Sequence, residues 1–252
     1  MRALAFALGM LSAASFLRAD APIYSAASLV NAADNQSGWL APNTIATLYG
    51  KNLAYGTQTL PGNSPVGGDA TVNISGYVAP LYYLSPTQIN FLIPPNLLPG
   101  PTTVQLVIDG LAGPPISVTL GATAPALFQL DQQNVIATRA DWSLITPTAP
   151  AKPGDVVVLF ATGLGQTVPP ASYGELPSVP APLAMLSDFE VLLDGNTVDP
   201  SDIAYAGVAP GFSGLYQINV TLPAPTGANP EIRIAVGAAV SVAGLHIAVS
   251  PQ

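Results

Sequence analysis

The chain has 252 residues, of which 27 are proline and 23 glycine, so about a fifth of it bends or breaks regular backbone. Only 8% of residues are charged while 49% are hydrophobic, which excludes an intrinsically disordered chain. Six basic residues face 14 acidic ones; that balance cannot neutralise a phosphate backbone and is repelled by an anionic membrane surface.

Cysteine is absent, which removes disulfides, thiol nucleophiles and thiolate metal sites. A single histidine, His246, excludes an imidazole-built zinc or copper site within one chain. The amino terminus reads as a secretory signal peptide: Met1-Arg2, an apolar run from Ala3 to Phe16, and a small residue at Ala19 for cleavage. The run is shorter than the ~20 apolar residues that span a bilayer. The chain is therefore expected to be secreted or extracytoplasmic. Past that segment 4 basic residues remain against 14 acidic, a formal charge of −10.

Beyond the leader the chain repeats itself. Pro42 to Leu53 corresponds to Pro153 to Leu164, and Gln88-Ile89-Asn90-Phe91-Leu92-Ile93-Pro94 returns as Gln217-Ile218-Asn219-Val220-Thr221-Leu222-Pro223. Val104 to Ile108 matches Ile232 to Val236, and Ile116 to Leu120 matches Leu245 to Val249. Short segments rich in Val, Ile, Leu, Thr and Tyr, punctuated by Gly, Pro, Asn and Asp, predict strands of a sandwich. Asp194-Gly195-Asn196 predicts a hairpin turn, with Ser75-Gly76 at the matching place. Alternation puts Thr87, Ile89, Phe91 and Ile93 on one core face, and Tyr216, Ile218, Val220 and Leu222 on another. Gln88, Asn90, Gln217 and Asn219 then point away from the core, where amides can tie down loops or the neighbouring half. The expected architecture is all-β: a signal peptide over 1–19, then two tandem Ig-like β-sandwich modules over 20–131 and 132–252.

These stretches carry a resemblance. Val30-Asn31-Ala32-Ala33, Ala41 to Leu53, Ala79 to Pro94, Ala124-Pro125-Ala126-Leu127-Phe128, Pro153 to Gly165, Tyr205 to Phe212 and Gly214 to Asn219 resemble the uncharacterised C-terminal domain of Solibacter-type acidobacterial secreted proteins. The resemblance covers residues 23 to 250. It implies an extracytoplasmic, Ig-like domain of no established activity and supplies no catalytic residues. Family members are often tails of larger secreted proteins, whereas here the leader runs straight into the domain.

No residue set announces catalysis. Gly211-Phe212-Ser213-Gly214 falls short of a nucleophile elbow, because its last glycine comes one position early and a strand follows. A glycosidase needs two carboxylates across a cleft, and the acids show no such local arrangement. His246 alternates with Leu245 and Ile247 and is expected to face outward or to an interface. Trp39, Trp142 and Tyr173 are the candidate ligand-binding aromatics; both tryptophans are loop-borne, where a flat ring can stack on a pyranose. Among the acids from Asp188 to Asp202, Asp194, Asp199 and Asp202 are the candidate calcium ligands, though the spacing is ordinary turn chemistry. Calcium is the one cofactor considered. The proline-rich stretch from Gly165 to Leu186 is long enough to be a partner-binding loop or a semi-rigid flap. The reading that results is a non-enzymatic binding or adhesion module for an extracellular protein or cell-envelope component, with a glycan as the second option. The alternatives are a structural envelope or matrix protein and an extracellular polysaccharide- or peptide-acting hydrolase.

Overall fold

The computed structural model describes residues 20–64 and 67–250; the expected leader, residues 1–19, lies outside them. The described chain is all-β apart from three short 3-10 turns. Its first half contains β1 (Leu29–Asn31), β2 (Ile45–Tyr49), β3 (Gln58–Ser64), β4 (Ala70–Ile74), β5 (Tyr77–Val78), β6 (Leu81–Leu84), β7 (Gln88–Leu92), β8 (Gly100–Ile108), β9 (Leu111–Ala112) and β10 (Ile116–Leu120). Its second half contains β11 (Ala126–Leu127), β12 (Ala137–Arg139), β13 (Val156–Thr162), β14 (Ala181–Pro182), β15 (Phe189–Leu193), β16 (Asn196–Thr197), β17 (Ile203–Val208), β18 (Tyr216–Thr221), β19 (Ile232–Val236) and β20 (Ala239–Val240).

All paired strands run antiparallel, and the sequence repeat reappears as a repeat of topology. In the first half one sheet has the order β1-β2-β7-β6-β3; in the second half β11-β13-β18-β17-β14 repeats it, with β12 added beside β13. The other sheet is β10-β8-β4-β5 in the first half, and β20-β19-β15-β16 takes its place in the second. Each half closes its two sheets over its own apolar core, one drawn from residues between Tyr24 and Leu120, the other from residues between Leu127 and Val249. Strand alternation explains the cores. Ala46 and Leu48, Ile89 and Phe91, and Val104, Leu106 and Ile108 all point inward and are buried. Each such Leu, Ile, Val or Phe contributes roughly 1.5–3 kcal/mol of burial.

Turn chemistry falls where expected. Ser75-Gly76 joins β4 to β5 and Asp194-Gly195 joins β15 to β16, with both residues of each pair at positive φ, the hairpin type that matches strand twist. Two expectations, on Thr87 and on the outward amides, need adjusting. Thr87 is exposed, because it lies in the turn that the Ser85 hydroxyl holds before β7 begins. Ala126–Leu127 pairs with Thr162 and Ala161 at the edge of β13. The outward amides tie to each other rather than to loops: Gln88 Nε2 donates to Asn90 Oδ1 at 2.9 Å and Gln217 Nε2 to Asn219 Oδ1 at 2.8 Å.

The halves meet along a polar seam. Asn43 Nδ2 donates to the buried Tyr216 hydroxyl at 2.8 Å, and that hydroxyl donates to the Gly165 carbonyl. Thr162 Oγ1 accepts from Ile45 N at 2.9 Å and donates to the Gly214 carbonyl at 2.7 Å. The Tyr82 hydroxyl reaches the Ser213 carbonyl, and Gln166 Nε2 reaches the Pro95 carbonyl at 3.1 Å. Backbone approach is so close that a Cβ on Gly163, at φ +78°, would sit 2.1 Å from the Ala124 carbonyl oxygen. Only glycine fits there.

Candidate functional site

β12 ends in a turn that carries one of the two tryptophans. Arg139 N donates to the Ser143 carbonyl and Trp142 N to the Arg139 carbonyl, both at 2.9 Å. Asp141 Oδ1 accepts from Ser143 N at 3.0 Å and from Ser143 Oγ at 2.7 Å. A three-residue loop of this kind ends on a left-handed residue, normally glycine. Here that residue is Trp142, at φ +68°. A bulky side chain in that region costs on the order of 1–3 kcal/mol. The turn thus holds a large ring in a strained position, and Trp142 is 63% exposed.

The same turn walls a shallow groove of about 490 Å³, lined by Arg139, Asp141, Pro150, Lys152, Asp155 and Val156. Its charged groups are held by local bonds. Arg139 donates to the Ala149 and Pro150 carbonyls at 2.9 and 2.8 Å, so its guanidinium is fixed. Asp155 Oδ2 accepts from Lys152 N at 2.8 Å across the Pro153-Gly154 turn. The Ser143 hydroxyl, the Ser143 N–H and then Arg139 hold the Asp141 carboxyl below the usual carboxylate range. A general acid needs the opposite shift. The groove therefore offers hydrogen-bonding groups of both signs, and the exposed Trp142 follows its wall residue Asp141 in the same turn, which is equipment for binding rather than proton transfer.

The other candidates stand elsewhere. Trp39 is 37% exposed in the first half, its carbonyl accepting from Asn31 Nδ2 at 3.4 Å. Tyr173 lies on the proline-rich stretch and works as a clasp between halves. Its ring meets Tyr77 edge-on at 5.8 Å and its hydroxyl donates to the Val78 carbonyl. Asp194 Oδ1 accepts from Glu231 N, and Asp199 caps a 3-10 turn by accepting from Ser201 N and Oγ; Asp202 closes that turn. Among the described residues no three His, Cys, Asp or Glu side chains converge on a metal position. Ser213 is buried and its hydroxyl donates to the Glu175 carbonyl, a structural bond. His246 Nδ1 lies 3.0 Å from the Asn229 carbonyl. Sequence reasoning singled out Trp142 but not Arg139, Asp141, Lys152 or Asp155. The signals were the Asp-x-Ser turn at 141–143 and the Lys-Pro-Gly-Asp turn at 152–155, which bring the groove's walls together.

No protein-family model matches the chain, and no curated protein matches it. Among solved structures, a surface glycan-binding protein from Prevotella bryantii is 12% identical, covering 89% of this chain and 41% of its own at a TM-score of 0.30. The SGBP-B protein of the Bacteroides ovatus mixed-linkage glucan utilization locus, in complex with a heptasaccharide, is 13% identical over 84% of this chain and 43% of its own, TM-score 0.37. Domains 5-6 of the S-layer protein SbsC are 10% identical over 92% and 99%, TM-score 0.31. The chain spans about two fifths of the length of the two glycan-binding proteins. At these TM-scores none of the likenesses assigns a fold or a ligand.

Proposed function

We propose that the protein is an extracytoplasmic, non-catalytic binding module whose ligand is a glycan, held by the Trp142 turn and the groove it walls. The observation that carries this reading is a solvent-exposed indole kept at a left-handed position of the turn whose Arg139 and Asp141 line the groove. An indole face stacks on the C–H face of a pyranose, and the charged groups take hydrogen bonds from and to its hydroxyls. This reverses the sequence preference for a protein or envelope partner, because the exposure and placement of a ring decide what it can do. The duplicated strand order supports two tandem Ig-like sandwich modules, and with them membership of the Solibacter-type domain family. A leader cleaved near Ala19 belongs to the same proposal.

The test is co-sedimentation of the chain from Asp20 onward with insoluble polysaccharides and with cell-envelope fractions. Retention on at least one polysaccharide is expected, weakened about thirty-fold in Trp142→Ala, the ~2 kcal/mol of an aromatic hot spot. Retention on envelope protein alone, or retention indifferent to Trp142, contradicts the proposal.

A further inference from the structure

A second cavity lies at the other end of the second half. The proline-rich stretch folds back as a flap against β17 and β18. Val168 N donates to the Pro182 carbonyl and Ala184 N to the Gln166 carbonyl, both at 2.8 Å, while β14 pairs with β17. Three further bonds fix the flap's shape: Thr167 Oγ1 to the Pro169 carbonyl at 2.8 Å, Ser213 Oγ to the Glu175 carbonyl at 2.8 Å, and Gly211 N to the Pro177 carbonyl at 2.7 Å. Under it is a cavity of about 200 Å³. The space is thus held open by the fold, and an occupant need not order the flap.

Size and chemistry narrow the occupant. A cavity of about 150 Å³ accepts benzene, and drug-sized pockets start near about 300 Å³, so this one takes a single ring. Its walls include Pro169, Pro170, Leu176, Pro177, Val179 and Val208, and Glu175 is the one ionisable residue among those lining it. Glu175 is also the only charge between Asp155 and Asp188, in a chain of net charge −8. The Thr167 and Ser213 hydroxyls already donate to flap carbonyls. Ser172, Ser178 and Glu175, all on the flap, remain for a ligand's polar group; a sugar ring would still turn several of its hydroxyls to the proline, leucine and valine walls, which is costly, whereas an aromatic ring with one polar substituent would not. We infer that the cavity beneath the proline flap is a binding site for one uncharged phenolic ring, either a free phenol or the tyrosine side chain of a partner protein.

The site is separate from the Trp142 groove. Val156, at one end of β13, lines the groove, whereas Thr162, at the other, bonds Gly214 in the cavity wall. Five strand residues lie between them, a span of about 20 Å. The cavity floor is also part of the seam, since Ser213 accepts from Tyr82 of the first half.

The test is an amide-resolved NMR titration of the mature chain with p-cresol, N-acetyl-tyrosinamide and methyl β-glucoside. Saturable shifts confined to the flap, Val208, Ser213 and Gly214 are expected with p-cresol, and none there with the glucoside. Ser178→Trp, at an exposed flap position lining the cavity, fills it without touching either core and should weaken p-cresol at least ten-fold. Tighter binding of N-acetyl-tyrosinamide than of p-cresol assigns the ring to a partner's tyrosine; the reverse order assigns it to a free phenol. Absence of saturation at millimolar p-cresol, equal binding by a folded Ser178→Trp variant, or preferential binding of the glucoside at the flap overturns the inference.

Discussion

Trp142 and Asp34 show, one residue at a time, where this chain departs from what stability alone would select. Trp142 occupies a turn position that glycine would fill without strain, and its ring lies mostly in solvent. Asp34 is buried with Oδ1 accepting from Gln36 N at 2.9 Å and Oδ2 without a partner. Burial pushes its carboxyl above the usual range, and the Gln36 N–H only partly offsets this. The sign follows from linkage: the neutral acid costs the fold nothing below the unfolded-state value, and stability is lost as pH rises through the raised folded value. Asp34→Asn keeps the acceptor for Gln36 and removes the charge. It should raise the melting temperature at pH 7 by about 2–4 °C, the equivalent of about 1 kcal/mol. The gain should vanish toward about pH 3, where unfolded carboxylates protonate as well. Thermal melts at the two pH values check this, and an equal gain at both would mean that charge is not the cause.

Among the elements, most of the strands were legible in the sequence and most of the site was not. The Gln-Ile-Asn repeat marks β7 and β18 because period-two alternation survives duplication: Ile89 and Ile218 must point inward whatever surrounds them. The Asp194-Gly195 and Ser75-Gly76 hairpins were legible because their left-handed backbone selects those residue types locally. The flap was visible as a proline-rich stretch but not as a clasp, since Tyr173 meets Tyr77 and Val78 across 95 residues of chain. The groove escaped for the same reason on a smaller scale. Arg139 and Lys152 are brought together by the return of the chain from β12 to β13, and nothing in either residue announces the other.

For the whole molecule, the seam decides whether the two β halves act as one body. Tyr216 is fully buried between Asn43 and Gly165 and belongs to the network that crosses from one half to the other. Burial pushes its hydroxyl well above the usual tyrosine range, so it stays a neutral donor. Tyr216→Phe leaves the Asn43 amide and the Gly165 carbonyl buried without that partner, which should cost about 2–3 kcal/mol in chemical denaturation. A loss below about 0.5 kcal/mol would mean that the seam contributes contact without stability. A rigid seam also holds the Trp142 groove at one end of the second half while the flap cavity sits against the first. The most direct test of the binding account is Trp142→Gly, measured for melting temperature and for polysaccharide retention in the same preparation. Glycine relieves the left-handed strain while removing the ring, so the melting temperature should hold or rise as retention disappears. Retention that survives in this variant, or that falls only together with the melting temperature, would contradict the assignment of Trp142 to the ligand.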